Sequence, residues 1–117
     1  MVTTPEGFPM IARIWRGYAA SPAAADAYQD FLRRSFLPAA AALPGFAGVD
    51  VLRRDAGNGE IEFTTITRFV SLDAVKAFAG EDHERANVAP RARELLSRFE
   101  ATCSHHTVVI TDADLGA

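Results

Sequence analysis

The sequence predicts an α+β fold in which a four-stranded antiparallel sheet carries its helices on one face. The stretch 60–80 passes from a β-rich run, Glu60 to Phe69, almost directly into an amphipathic helix headed by Ser71. Residues 10–45 show a similar strand-then-helix pattern. Between the two halves, Asp55-Ala-Gly-Asn-Gly59 is rich in residues that tolerate positive φ, so it joins two strands as a hairpin.

Residues 1–9 read as a loose tail, 10–111 as a single domain and 112–117 as a second tail. The first strand is predicted over Met10 to Tyr18. It places Ile11, Arg13 and Trp15 on one face and Met10, Ala12, Ile14 and Arg16 on the other. Apolar residues on both faces predict a central strand. Ser21-Pro22 supplies an N-cap followed by proline at the first helical position. Tyr28, Phe31, Leu32 and Phe36 form the apolar stripe, while Asp26, Asp30, Arg33 and Arg34 face away. Pro38 is predicted to kink or interrupt that helix, and Pro44-Gly45 ends the short turn that follows.

Phe46 to Arg54 is the predicted second strand and Glu60 to Phe69 the third. The third sets Ile61, Phe63, Thr65, Thr67 and Phe69 against Glu62, Thr64, Ile66 and Arg68. Ser71 caps the next helix, whose predicted buried stripe is Leu72, Val75, Phe78 and Ala79, with Gly80 at its end. Residues 81–89 are irregular. Pro90 opens a short helix with Ala92, Leu95, Leu96 and Phe99 inward, and Cys103 to Thr111 is the last strand. The order βαββαβ, with right-handed crossovers, is that of a ferredoxin-like fold. The sheet face without helices still carries large apolar groups, and a second copy of the same face is the simplest cover, predicting a homodimer.

With 117 residues, 49% of them apolar and 23% charged, the chain has the composition of one globular domain. A net charge of −3 gives no reason to expect nucleic acid or an anionic membrane as partner. Lys76 is the single lysine and Cys103 the single cysteine, so no intrachain disulfide can form. No signal-peptide pattern opens the sequence and no apolar run approaches the ~20 residues that span a bilayer, which predicts a soluble cytoplasmic protein. Nucleophile-elbow, P-loop, dinucleotide, CxxC and HExxH patterns do not occur, so nucleotide-dependent and hydrolytic chemistry are not predicted.

Three segments and one histidine carry a family likeness. They are Ala12-Arg-Ile-Trp-Arg16, Leu43-Pro-Gly-Phe46, Phe69-Val-Ser-Leu-Asp-Ala-Val-Lys-Ala-Phe78, and His105 at the start of the last strand. With them the chain resembles the antibiotic biosynthesis monooxygenase-like family of the dimeric α+β barrel superfamily, over roughly residues 10–110. The resemblance implies a dimeric α+β barrel, and the superfamily includes cofactor-free oxygenases of polycyclic phenols and haem-degrading enzymes. Phe69 stands where many of these relatives have Trp, which keeps an aromatic wall and removes an N–H donor. The first strand also lacks the Asn of the haem-degrading members, although His83 sits roughly where they place the iron ligand.

His83, in Glu81-Asp-His-Glu84, has the chemistry of a base, a proton shuttle or an axial ligand; as a solvated loop histidine its carboxylate neighbours would raise its pKa. His105 and His106 are adjacent on a strand and point to opposite faces, with His105 the candidate to enter a pocket. Cys103 shares a face with His105, but no third and fourth ligand stand at recognisable spacing, so no metal site is predicted. A pocket walled by Trp15, Phe69 and Phe78, with Arg13 or Arg68 nearby, would suit a flat phenolate or enolate. Alternatively Trp15 fills the core or a dimer seam and the arginines pair with Glu62 or Asp50. The expectation is therefore a cofactor-independent monooxygenase of a small aromatic or polyketide-like substrate. Its catalytic residues would be His83, His105, Arg13 and Arg68, its substrate-binding residues Trp15, Phe69 and Phe78, and it would need neither metal nor cofactor. The competing expectation is a non-catalytic dimeric binding protein for a small molecule or haem.

Overall fold

The computed structural model describes residues 9–116, so the N-terminal tail expected over 1–9 lies outside the described residues except for Pro9. Strand β1, Ile11–Ala19, pairs along its whole length with β3, Glu60–Phe69, in the antiparallel register Ile11↔Phe69 to Ala19↔Ile61. Strand β2, Phe46–Gly57, covers the other edge of β3. Asn58 and Gly59 close the β2–β3 hairpin with φ of 55° and 79°, the two positive values that a two-residue hairpin turn requires.

Helix α1, Pro22–Phe31, begins as expected, with the Ser21 hydroxyl accepting from the Ala24 N–H. It runs through a π-turn, Leu32–Phe36, into α2, Leu37–Ala41. The Leu37 N–H donates to the Leu32 carbonyl, five residues back. The wider turn directly precedes Pro38 and accommodates its ring, so the helix continues where an interruption was one expectation. Helix α3, Leu72–Ala79, is capped by the Ser71 hydroxyl. Its buried face is Ala74, Val75 and Ala79, with Phe78 half-buried, whereas Leu72, expected inside, is exposed at the first turn.

The C-terminal third departs most from expectation. Helix α4, Pro90–Leu95, ends before Phe99, and Leu96 is already extended. Arg98–Phe99 form a two-residue strand β4 on the free edge of β1 at Gly17 and Tyr18. Strand β5, Ser104–Thr107, takes the same edge at Ile11 to Ile14, shorter than the expected Cys103 to Thr111. The free edge of β1 needs backbone partners, and it obtains them from two pieces instead of one. Between these pieces the chain turns to the 81–89 segment. Ala86 N–H donates to Ala101 O at 2.8 Å and Cys103 N–H to Glu84 O at 2.7 Å. The sheet thus runs β2-β3-β1 and ends on β4 and β5, antiparallel throughout. The expected C-terminal tail contains a 3₁₀ turn at Asp112–Leu115 closed by a Thr111–Asp114 capping box.

Two apolar clusters lie between sheet and helices. The larger contains Tyr28, Leu32, Ile61, Phe63 and Leu96; the smaller contains Phe69, Ala74 and Val75. The helix-free face carries Ile14, Ile66 and Leu52, the last 54% exposed. These apolar groups are interleaved with ion pairs: Arg54 to the buried Glu62 at 2.7 Å and Arg68 to Asp50 at 2.9 Å. The open face is therefore more polar than the sequence pattern suggested.

Candidate functional site

A cavity of about 400 Å³ opens on the helix side of the sheet, in the gap between the two clusters. Alternation along β1 turns Arg13 and Trp15 towards it, and their cross-strand partners Thr67 and Thr65 complete its floor. Tyr28 and Phe31 of α1 and Phe78 of α3 line its helix side, and Val88 and its neighbours in the 81–89 segment form the remaining wall. The hydrogen bonds from that segment to Ala101 and Cys103 hold this wall away from the sheet and keep the space open.

Arg13 dominates the electrostatics. It is only 6% exposed, and no acidic side chain pairs with it among the described residues. One terminal nitrogen donates to Arg85 O at 3.4 Å, and the guanidinium carbon lies 5.5 Å from the Phe78 ring centre. Its Nε is buried without a hydrogen-bond partner among the described residues. Burial lowers its pKa, yet an arginine remains charged at neutral pH. An unpaired cation in an apolar wall is costly to bury, and an anionic ligand would supply the missing partner.

Trp15 donates its indole N–H to Glu100 O at 2.7 Å, so it offers the cavity a ring face and no free donor. The Cys103 thiol also lines the space, and burial pushes its pKa up. His105 is the cross-strand partner of Arg13 on the neighbouring strand. Its Nε2 is likewise buried and unpartnered among the described residues. His83 meets it edge-on, with ring centres 4.9 Å apart, and His83 Nδ1 lies 3.4 Å from Glu81 O. Burial first, then the nearby Arg13 and His83, lower the His105 pKa.

Of the expected site residues, Arg13, Trp15 and Phe78 share the cavity wall. His83 and His105 come together beside Arg13 but do not line the space. Phe69 is fully buried behind Phe78, with ring centres 5.3 Å apart, and braces the wall without reaching the cavity. Arg68 points to the opposite sheet face, where it is paired with Asp50, because residues 68 and 69 of a strand alternate sides. It cannot act in this cavity. Tyr28, expected to be core, is both core and wall. No sequence signal separates those roles, since the inward stripe of a helix serves both. No group of three or more His, Cys, Asp or Glu side chains able to hold a metal forms among the described residues.

No family's sequence model and no curated protein matches this chain. Solved structures match its fold. SnoaB of Streptomyces nogalater, described as a cofactor-independent oxygenase, shares 18% identity over 88% of this chain and 96% of its own, with a TM-score of 0.58. A candidate antibiotic biosynthesis monooxygenase of Bacillus cereus shares 14% identity over 88% and 96%, with a TM-score of 0.55. A dimeric ferredoxin-like protein from an uncultured marine organism shares 10% identity over 88% and 98%, with a TM-score of 0.65. The ferredoxin-like fold is common to all of them. No helix among the described residues is long and apolar enough to cross a membrane.

If Arg13 is retained for a ligand and not for stability, Arg13→Met should leave the free protein as stable or raise its urea-unfolding free energy by about 1 kcal/mol. A loss of more than about 2 kcal/mol would assign the guanidinium a structural role.

Proposed function

We propose that this protein is a cofactor-independent monooxygenase acting in the cytoplasm on a small aromatic or polyketide-like substrate with O₂ as oxidant. The observation that carries the reading is Arg13, a buried cation without an acidic partner among the described residues, on the wall of a mostly apolar cavity. A phenol or enol bound there gains its strongest interaction on losing its proton, because the anion then meets a fixed charge in a water-poor site. The proton passes by way of a water to His105, which stands behind the wall next to Arg13 and is neutral at pH 7 because burial and Arg13 hold its pKa down, with the His83 ring against it. The delocalised carbanion then forms a C–O bond with O₂. One oxygen remains as a carbonyl; the other leaves as water, taking the hydrogen of the attacked carbon and the proton that His105 returns, and the substrate supplies all the electrons. Trp15, Phe78 and the aromatic side chains of α1 hold the ring system and exclude water.

The fold shared with SnoaB, described as a cofactor-independent oxygenase, supports this reading. One feature favours a second: neither histidine lines the cavity wall. A dimeric protein that binds the same anion without turnover is the alternative, and His105→Ala separates the two. It lowers turnover about 100-fold or more at unchanged ligand affinity in the first case, whereas in the second there is no turnover for it to lower.

For the oxygenase, incubation with an anthrone should consume O₂ and yield the anthraquinone, whereas anaerobic incubation should not; the same product in both would overturn it. The lowered His105 pKa fixes the sign of the pH dependence. The neutral base persists below the ordinary histidine value near 6.5, so kcat/KM should stay flat above that pH and fall with a midpoint beneath it. His105→Gln should remove that acid limb.

The homodimer belongs to the same proposal, with a second copy over Ile14, Leu52 and Ile66 on the helix-free face. A neighbour of the same fold is described as dimeric. Sedimentation at micromolar concentration should give the mass of two chains, and Leu52→Glu should shift it towards one. A single-chain mass for the unmodified protein would contradict the arrangement.

A further inference from the structure

Arg13 Nε and His105 Nε2 are buried without a partner among the described residues, and they belong to directly opposed residues of β1 and β5. Opposed residues of an antiparallel pair project from the same face, with Cβ atoms about 5 Å apart. In native folds such orphaned polar atoms are taken up by a bound water or ion. Here two of them coincide beside a fixed positive charge.

The groups around the pair decide what it suits. Alternate residues of the 81–89 segment cover it: the His83 ring lies against His105, ring centres 4.9 Å apart, and the Arg85 carbonyl accepts from one terminal nitrogen of Arg13 at 3.4 Å. Neither Arg13 nor His105 joins an ion pair among the described residues. The titratable and charged groups that face His105 are Arg13 on β1, His83 and Glu84 on the segment, and His106 on its own strand. Glu84 is the single acid of that set, and it is exposed. A water would satisfy both nitrogens but leave the guanidinium charge uncompensated. An anion accepts from Arg13 Nε–H and, once His105 is protonated, from its Nε2–H as well. His105 does not line the cavity, so the place between the two nitrogens is not the room for a ring system and suits a monatomic guest.

We infer that the Arg13–His105 pair holds a small monovalent anion of the halide class, bound together with a proton on His105. The inference rests on Arg13 being open to an anion, as in the proposed function, but it needs neither an aromatic ligand nor turnover. Binding and protonation are linked: the anion stabilises the imidazolium and raises the His105 pKa, and halide affinity falls as pH rises through that pKa. In an oxygenase the halide would remove the neutral base and occupy the anchor of the phenolate, which makes chloride an inhibitor chiefly at acid pH.

Side-chain ¹⁵N NMR of the three histidines tests it in the substrate-free protein. The pH titrations are run in sodium chloride and in sodium gluconate of equal ionic strength, gluconate being too large an anion for the site. Chloride should raise the proton affinity of His105 about fivefold over gluconate, while the exposed His106 titrates alike in both salts and controls for screening. Arg13→Met, judged folded by its amide spectrum, should bring the two His105 titrations together. Independently of that variant, a crystal of the unmodified protein soaked in sodium bromide should show bromide, by its anomalous signal, within hydrogen-bonding reach of both Arg13 Nε and His105 Nε2. Coincident His105 titrations in the two salts, an equal chloride effect at His106, a chloride effect that survives Arg13→Met, or bromide at surface positions only would overturn the inference. Halide linkage without O₂ consumption from an anthrone would support it and count against the oxygenase alone.

Discussion

Every feature of the site depends on strand β1 being hydrogen-bonded on both edges. Nine consecutive residues pair with β3 on one side, and β4 and β5 share the other. That pairing fixes the register, and the register decides which side chains meet the helices. A slip of one residue would exchange Arg13 and Trp15 for Ala12, Ile14 and Arg16, turning the cavity wall out to the open face. The ladder that holds the sheet together also aims the cation. The hairpin at Asn58–Gly59 and the two serine caps bring β3 and the helices into place around it.

The cavity exists because the C-terminal chain does not form one straight strand. After Glu100, whose N–H still donates to Arg16 O of β1, Ala101 and Cys103 pair with Ala86 and Glu84 in place of β1. The 81–89 segment is thereby held over the sheet as a wall, and the large and small apolar clusters do not close on each other. Arg13 faces this space with an unsatisfied Nε, while its sheet neighbour His105 carries an equally unsatisfied nitrogen. Two orphaned polar atoms on paired residues are unusual in a core that otherwise follows ordinary packing. They are the two buried side-chain atoms left without a partner among the described residues.

Much of the architecture was legible from local chemistry. Ser21-Pro22 and Ser71 announced two helix starts, Asn58-Gly59 a hairpin, and period-two alternation the inward face of β1 and β3. The same alternation already separates Arg68 from Phe69, since neighbours on a strand cannot share a wall. The long-range features were not legible. The meeting of His83 with His105 joins an irregular segment to a strand and follows from no spacing. Phe99 continued the helical stripe of Ala92, Leu95 and Leu96, but the unpaired edge of β1 at Gly17 and Tyr18 took it into a strand. Tertiary hydrogen bonding overrode the periodicity there.

The central claim is that the Arg13 guanidinium is the anchor of an anionic aromatic ligand on the helix side of the sheet. A crystal structure of the protein with an aromatic phenolate bound tests it most directly. The account predicts the ligand oxygen within hydrogen-bonding distance of Arg13 Nε and the ring against Trp15. A ligand seated on the helix-free face, or lying in the cavity with its charged oxygen turned away from Arg13, would contradict it.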